Sequence, residues 1–382
     1  MARLPRNVAS DNPAIAIAAP ARRSSAKRAP LLAGCAIMAA ALLMPAAARA
    51  QFVCADTETG TGQGATATSL NSMACGANAA ASGFSQDTAI GDMSTASGAV
   101  GTAVGFASTA SGNYSTAIGF FSTASGDYSM ASGVDSTASG DFSTASGLGS
   151  TANGNYSAAY GALATAGGAN SIAIGGNAAT GAGNAAYVDP TSANGIAIGN
   201  QTVINAGSGN STAVGFSNSV TGANSGAFGT GQTVNGTGSF GIGDPNTING
   251  NGTFVYGNTN SVNTGTNAGA GTAGFGDNVQ VVGSGNSIAS GFSANSSSIV
   301  GIDNTVGSTA TSTGAAILGN TNTVNATNAI AIGNAISVSG ANAIGIGQGT
   351  SATGANATAV GEGSSANDVV TSAFGALAGA NS

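Results

Sequence analysis

Few residues of this chain can do chemistry. After Ala50 it contains no His, Lys or Arg, so the usual proton shuttles and electrophilic cations are missing and only carboxylates, hydroxyls, phenols and two thiols remain. Asp127 and Asp141 stand fourteen residues apart, a spacing that suits a catalytic pair, a Ca²⁺ site or two turn residues; the turn reading is preferred. The nonapeptide calcium repeat, with its Gly-Gly-x-Gly-x-Asp, is absent. Thr95, Thr109, Thr123, Thr137, Thr151 and Thr165 recur at the same interval and would stack into a hydroxyl–methyl ladder, as in ice-binding solenoids, although Thr also simply suits strands. Tyr114, Tyr128, Phe142 and Tyr156 recur likewise, preceded by Asn113, Asp127, Asp141 and Asn155. They predict an aromatic ladder beside a strip of acids, which is either an adhesive face or cover for a coil edge or a neighbouring chain. No catalytic residue, metal site or cofactor is expected, and the chain reads as something other than an enzyme.

Charge narrows the partners. All seven basic residues lie at or before Arg49, whereas thirteen of the fourteen acids follow Ala50, for a formal charge of about −13 on that part. Such a surface cannot neutralise phosphates, which excludes nucleic acid and anionic headgroups. Residues 1–50 read as a secretory leader: Arg22, Arg23, Lys27 and Arg28, an apolar run from Leu31 to Met44, and small residues at Ala48 and Ala50. Cleavage there leaves Gln51 first. Leu32 to Cys35 also spells a lipoprotein box, but the apolar run continues nine residues beyond Cys35, so removal with the leader is expected. That run is too short to span a membrane, and no direct membrane insertion by this chain is expected. Cys54 and Cys75 then remain as a candidate disulfide, within one chain or between chains, in an oxidising compartment.

The elements that must position these columns repeat every fourteen residues from 87 to 186, as in DTAIGDMSTASGAV and GTAVGFASTASGNY. Position 5 is always Gly, from Gly91 to Gly175, and position 3 always Ala, from Ala89 to Ala173. Two runs of four or five residues per repeat, separated by Gly, Asn or Asp, suit short strands and not helices. Alternation then places positions 3 and 5 on a side restricted to Ala and Gly, where backbones approach closely, and positions 2 and 4 on the other. A solenoid follows. Only Pro190 and Pro245 occur after the leader, as expected of stacked strands and not of a disordered linker. Twenty-one glycine anchors are read from Gly76 to Gly375, with an insertion between Gly175 and Gly199 that contains Tyr187, Asp189 and Pro190, and with slippage through Gly276, Gly291 and Gly301. At the strand spacing of about 4.8 Å that makes a stack on the order of 100 Å. In the later repeats the position five residues after the anchor changes from Ala to Val or Ile, at Val220, Val234, Ile248, Val262, Val306, Val324 and Val338. Ile118, Ile174, Ile198, Val214, Ile332 and Ile346 exceed what so thin a coil can bury, which predicts side-by-side association of several chains.

The runs Ser171 to Gly175 (SIAIG), Asn328 to Gly333 (NAIAIG) and Asn342 to Gly347 (NAIGIG) resemble the head repeats of YadA-type trimeric autotransporter adhesins over roughly residues 72–382. The resemblance implies an all-β fold, a left-handed parallel β-roll of about twenty coils, a homotrimer, a bacterial outer surface, and adhesion to host matrix, host cells or other bacteria. Such adhesins continue into a neck, a heptad stalk and a membrane anchor. Here the repeats run to within a few residues of Ser382, so the chain is expected to be a truncated product or a head secreted without a tether. The organisation expected is a signal peptide at 1–50, a flexible lead-in at 51–71, a regular array at 72–186, a second array at 187–275, irregular coils at 276–318, and a regular array at 319–382. A structural spacer is the alternative function, and an ice-binding solenoid the third.

Overall fold

The computed structural model describes residues 51–54, 61–176, 185–263, 276–289 and 292–381; the leader expected at 1–50 lies outside them. Each coil supplies a first strand, such as Thr88–Ile90 or Ile330–Asn334, and a two-residue second strand, such as Thr95–Ala96. First strands form one parallel sheet of twenty-one strands and second strands another. Pairing is in register at the repeat interval, with Thr88 opposite Thr102 and Ala89 opposite Ala103. This is an all-β parallel solenoid.

The core follows from which side chains fit between two sheets that face each other within one thin coil. Position 3, as in Ala89, Ala103 and Ala117, and position 10, as in Ala96, Ala110 and Ala124, are fully buried. Only methyl groups fit there in the first array. Later coils bury Val220, Val234, Ile248, Val262, Val306 and Val324 at position 10, so the change of residue type along the chain is a change of core. Gly91 and its equivalents have φ between +115° and +142°, and a Cβ on Gly91 would collide with the carbonyl of Gly105 one coil on. Glycine is therefore required twice over at position 5, by conformation and by close approach.

Three expectations are revised. Gly276 has φ +68° and lies over the turn glycine Gly250, so it is not an anchor; Gly283, at φ +140° and directly over Gly301, is. Gly291 lies outside the described residues. Twenty glycines among the described residues have the anchor conformation. The insertion after Gly175 does not contain Tyr187, because Tyr187–Val188 is a second strand paired with Thr165 and Ala166; the added length falls mainly between Gly176 and Ala185. Finally, the lead-in contributes a coil: Phe52–Val53 pairs with Met73–Ala74, and Thr66–Ala67 with Ala80–Ala81. Across the irregular stretch the ladders continue, with Val255 opposite Val281 and Ile299 opposite Ile317. The sheets are unbroken across it, and the added sequence falls between each second strand and the next first strand.

Candidate functional site

Columns of the sequence become columns on the surface, since each residue lies one coil from its equivalent. Tyr114, Tyr128, Phe142 and Tyr156 stack with ring centroids 4.9, 4.9 and 5.0 Å apart and interplanar angles of 6°, 4° and 1°. Their exposures are 53, 52, 48 and 60 %. Ring faces are occupied by one another, so the ladder offers the surroundings ring edges and three phenol hydroxyls.

The ladder is held at a backbone cost. Its four residues have φ of +56° to +59°, the left-handed region that costs a bulky L-residue roughly 1–2 kcal/mol. Later coils place Asn194, Asn210, Asn224, Asn328, Asn342 and Asn356 at the same turn with the same φ, and Asn adopts it more readily. Stacking, worth about 0.5–1.5 kcal/mol per aromatic pair, offsets part of that cost.

Beside the rings, the acids act as turn clamps. Side-chain oxygens of Asn113, Asp127, Asp141 and Asn155 accept backbone N–H groups from Ala99, Asn113, Asp127 and Asp141 at 3.2, 2.8, 3.0 and 3.1 Å. Each clamp joins one coil to the next. The described residues contain no group of three or more His, Cys, Asp or Glu that could hold a metal ion, and no helix long and apolar enough to cross a membrane. The threonine column is in register on the second sheet, Thr95 beside Thr109 and so on to Thr165. It is half-buried, next to the exposed Ser97, Ser111, Ser125 and Ser139. Cys54 and Cys75, on adjacent first-strand coils, are joined with Cα atoms 4.8 Å apart.

Outward position 4 of the first sheet forms an apolar column along the stack. It includes Ile118 (45 % exposed), Ile174, Leu318 and Ile332, with Ile174 beside Ile198, Ile198 beside Val214 and Ile332 beside Ile346. The two outer faces therefore differ in degree: in the first array the first sheet sets this column, interrupted by Ser132 and Ser146, beside Thr88, Thr102, Thr116 and Thr144, whereas the second carries mainly threonine and serine hydroxyls.

Two features are absent from the sequence reading. The first is an aromatic cluster on the turn after the anchor glycine, where Phe106 and Phe120 are stacked at 5.2 Å and Phe121 stands nearly perpendicular to both, at 5.7 and 4.4 Å. Its signal was available, since Phe106 and Phe120 are one repeat apart. The second is internal. Asn246, Asn260, Asn286, Asn304 and Asn322 are buried three residues after an anchor glycine, and each amide bonds the next. Asn304 N–H and Nδ2 donate to Asn286 Oδ1 at 3.0 and 2.9 Å, and Asn304 Nδ2 also donates to the Gly319 carbonyl at 2.8 Å. The first array has Ser in that column, as in Ser94 donating to the Gly91 carbonyl at 2.8 Å.

Fold and surface together define a repeat-built parallel β-solenoid whose distinguishing features are columns of side chains. The family model of the YadA head domain repeat matches residues 101–122, 124–150, 152–178 and 339–364. These segments match a YadA-like head domain, and in-register pairing continues the ladders through the described residues between them. No curated protein matches the chain. The YadA head family indicates an adhesin-type head on an exported or cell-surface protein, and β-solenoid heads of this kind are typically non-enzymatic.

Proposed function

We propose that the chain is the head of a bacterial adhesin, exported and assembled as a homotrimer, which attaches to host matrix, host cells or other bacteria. The observation that carries this reading is the unequal pair of outer faces. The largely apolar column on the first sheet, with Ile118, Ile174, Leu318 and Ile332 exposed, is a surface that association would cover, and three copies turned inward cover it; the hydroxyl-rich second sheet then looks outward. The match to YadA head repeats supports it, as does the lack of His, Lys and Arg after the leader, which leaves only carboxylates, hydroxyls, phenols and two thiols for chemistry. The outward face meets its target through hydroxyls and amides, and tethering to the cell depends on a part other than this head.

The test is attachment. Beads coated with the folded protein should adhere to immobilised extracellular matrix, to cultured host cells or to bacterial cells, and free protein should compete. A trimeric protein that binds none of the three would leave the spacer function and overturn the adhesin.

A further inference from the structure

Residues 92–163 differ from the rest of the solenoid at both of their turns. The turn after the anchor glycine carries Met93, Phe106, Phe120, Phe121, Val134 and Leu148. The turn after the second strand carries the Tyr114–Tyr156 ladder. In later coils the same places hold mostly polar residues such as Asn200, Gln201, Asn320, Thr321, Asn328 and Asn342, with Phe216, Ile302, Val370 and Leu377 as isolated exceptions. The apolar column of position 4 is interrupted within these coils by Ser132 and Ser146, so it does not account for the two apolar edges concentrated there.

We propose that these edges are the two halves of one contact between chains: the Phe106–Phe120–Phe121 edge of one chain seats the Tyr114–Tyr128–Phe142–Tyr156 ladder of the next. The inference rests on the trimer proposed above. A closed ring of three is heterologous, so each chain must present two different, complementary patches at the same height. The two turns lie on opposite sides of each coil, flanking the apolar first sheet. If that sheet faces the axis, the Phe edge of each chain meets the Tyr edge of its neighbour at a corner.

Three observations point to a sister chain as the occupant. With thirteen acids and no cation after Ala50, copies of this chain cannot hold one another by ion pairs, so apolar and aromatic contacts and neutral hydrogen bonds are what remain between them. Four rings about half exposed leave roughly 300–500 Å² of aromatic surface on the ladder alone, large for a patch facing water. The exposed ring edges of the ladder also suit edge-to-face packing against Phe121 and its neighbours. Bulky residues are kept in the left-handed region at both edges, Met93 and Phe121 at +56° and +54° as well as the ladder. Val100, Thr259, Thr321 and Val370 take the same conformation, so it belongs to the turn itself, and what distinguishes these coils is the aromatic side chains that stand there.

The test is a set of paired cysteines, Phe120→Cys combined in turn with Tyr114→Cys, Tyr128→Cys and Phe142→Cys, in a protein whose own two exported cysteines are joined. At least one pair should oxidise to a covalent ring of three chains on a non-reducing gel, and each single substitution should give none. A second readout uses unmodified protein: Tyr114, Tyr128 and Tyr156 should be nitrated at least tenfold more slowly in the native assembly than in denaturant. Absence of any cross-linked product in particles that light scattering weighs as three chains would overturn the edge contact and leave the trimer. Cross-linked dimers from a single substitution, or nitration at the denatured rate, would overturn it as well. Unmodified protein with the mass of one chain would remove the trimer itself.

Discussion

Replacing Asn286 by Ala removes a rung from the buried amide ladder, and the structure supplies the size of the effect. Asn286 Nδ2 donates to Asn260 Oδ1 at 2.8 Å and to the Gly301 carbonyl at 2.9 Å. Its Oδ1 accepts the backbone N–H and the Nδ2 of Asn304 at 3.0 and 2.9 Å. After truncation Asn260 Oδ1 keeps the backbone N–H of residue 286, and Asn304 Nδ2 keeps the Gly319 carbonyl. The Asn304 N–H and the Gly301 carbonyl lose these partners. At about 1–3 kcal/mol per orphaned buried group, the loss is roughly 2–6 kcal/mol. Ser94→Ala, in the same column of the first array, removes one hydroxyl bond to the Gly91 carbonyl and should cost only about 0.5–1.5 kcal/mol. Since solenoids unfold in parts, the assay is urea unfolding together with amide hydrogen exchange, read at residues 280–306. Exchange should accelerate there and hardly at all around residues 88–124. Asn286→Gln should recover part of the loss, because Gln232 stands in the same column and accepts from Asn246 Nδ2 at 3.1 Å. An Asn286→Ala protein within about 0.5 kcal/mol of the parent would refute the ladder as a stabilising element.

Gly133→Ala places a Cβ against the Gly147 carbonyl at φ +138° and should cost roughly 2–6 kcal/mol from strain and overpacking. Gly238→Ala, at φ +64° with nothing within 4 Å, should cost about 1–2 kcal/mol by chemical denaturation. Secreted protein should have an intact mass beginning at Gln51 and two protons below the reduced form. Cys54→Ser with Cys75→Ser opens a link of sequence separation 21 and should cost about 3 kcal/mol, felt by exchange in the first coils only. Asp189 Oδ1 accepts the Thr191 hydroxyl at 2.6 Å and backbone N–H at 2.8 Å, which holds its carboxyl below the usual range. A lowered native pKa stabilises at neutral pH and is lost as pH falls through it; the contribution is small at so exposed a site, and Thr191→Val should raise the pKa seen by NMR.

Position 3 and position 5 were legible in the sequence because each is restricted by a contact repeated at every coil. A methyl group is all that fits between the sheets at Ala89 or Ala117, and nothing larger than hydrogen clears the next carbonyl at Gly91. Gly276 is a turn glycine and not an anchor because glycine serves anchors, tight turns and left-handed corners alike, so glycine spacing alone does not separate them. Gly283 could have been found from Asn286, Ser287 and Ile288, which repeat the Gly-x-x-Asn-Ser/Thr-Val/Ile pattern of Gly301 to Val306. The Phe106 edge was missed although its spacing is regular, since a turn residue that points outward does not alternate with a strand. In the contact proposed above, what the ladder of Tyr114 faces is not encoded within a single chain, because its partner would be another molecule.

The measurement that bears most directly on the account is the mass of the folded, exported protein by light scattering. The uncovered Ile and Val column of the first sheet predicts three chains per particle, stable on dilution. A stable monomer would contradict it, since that column and both aromatic edges would then stand open to water with no partner of the same chain to cover them.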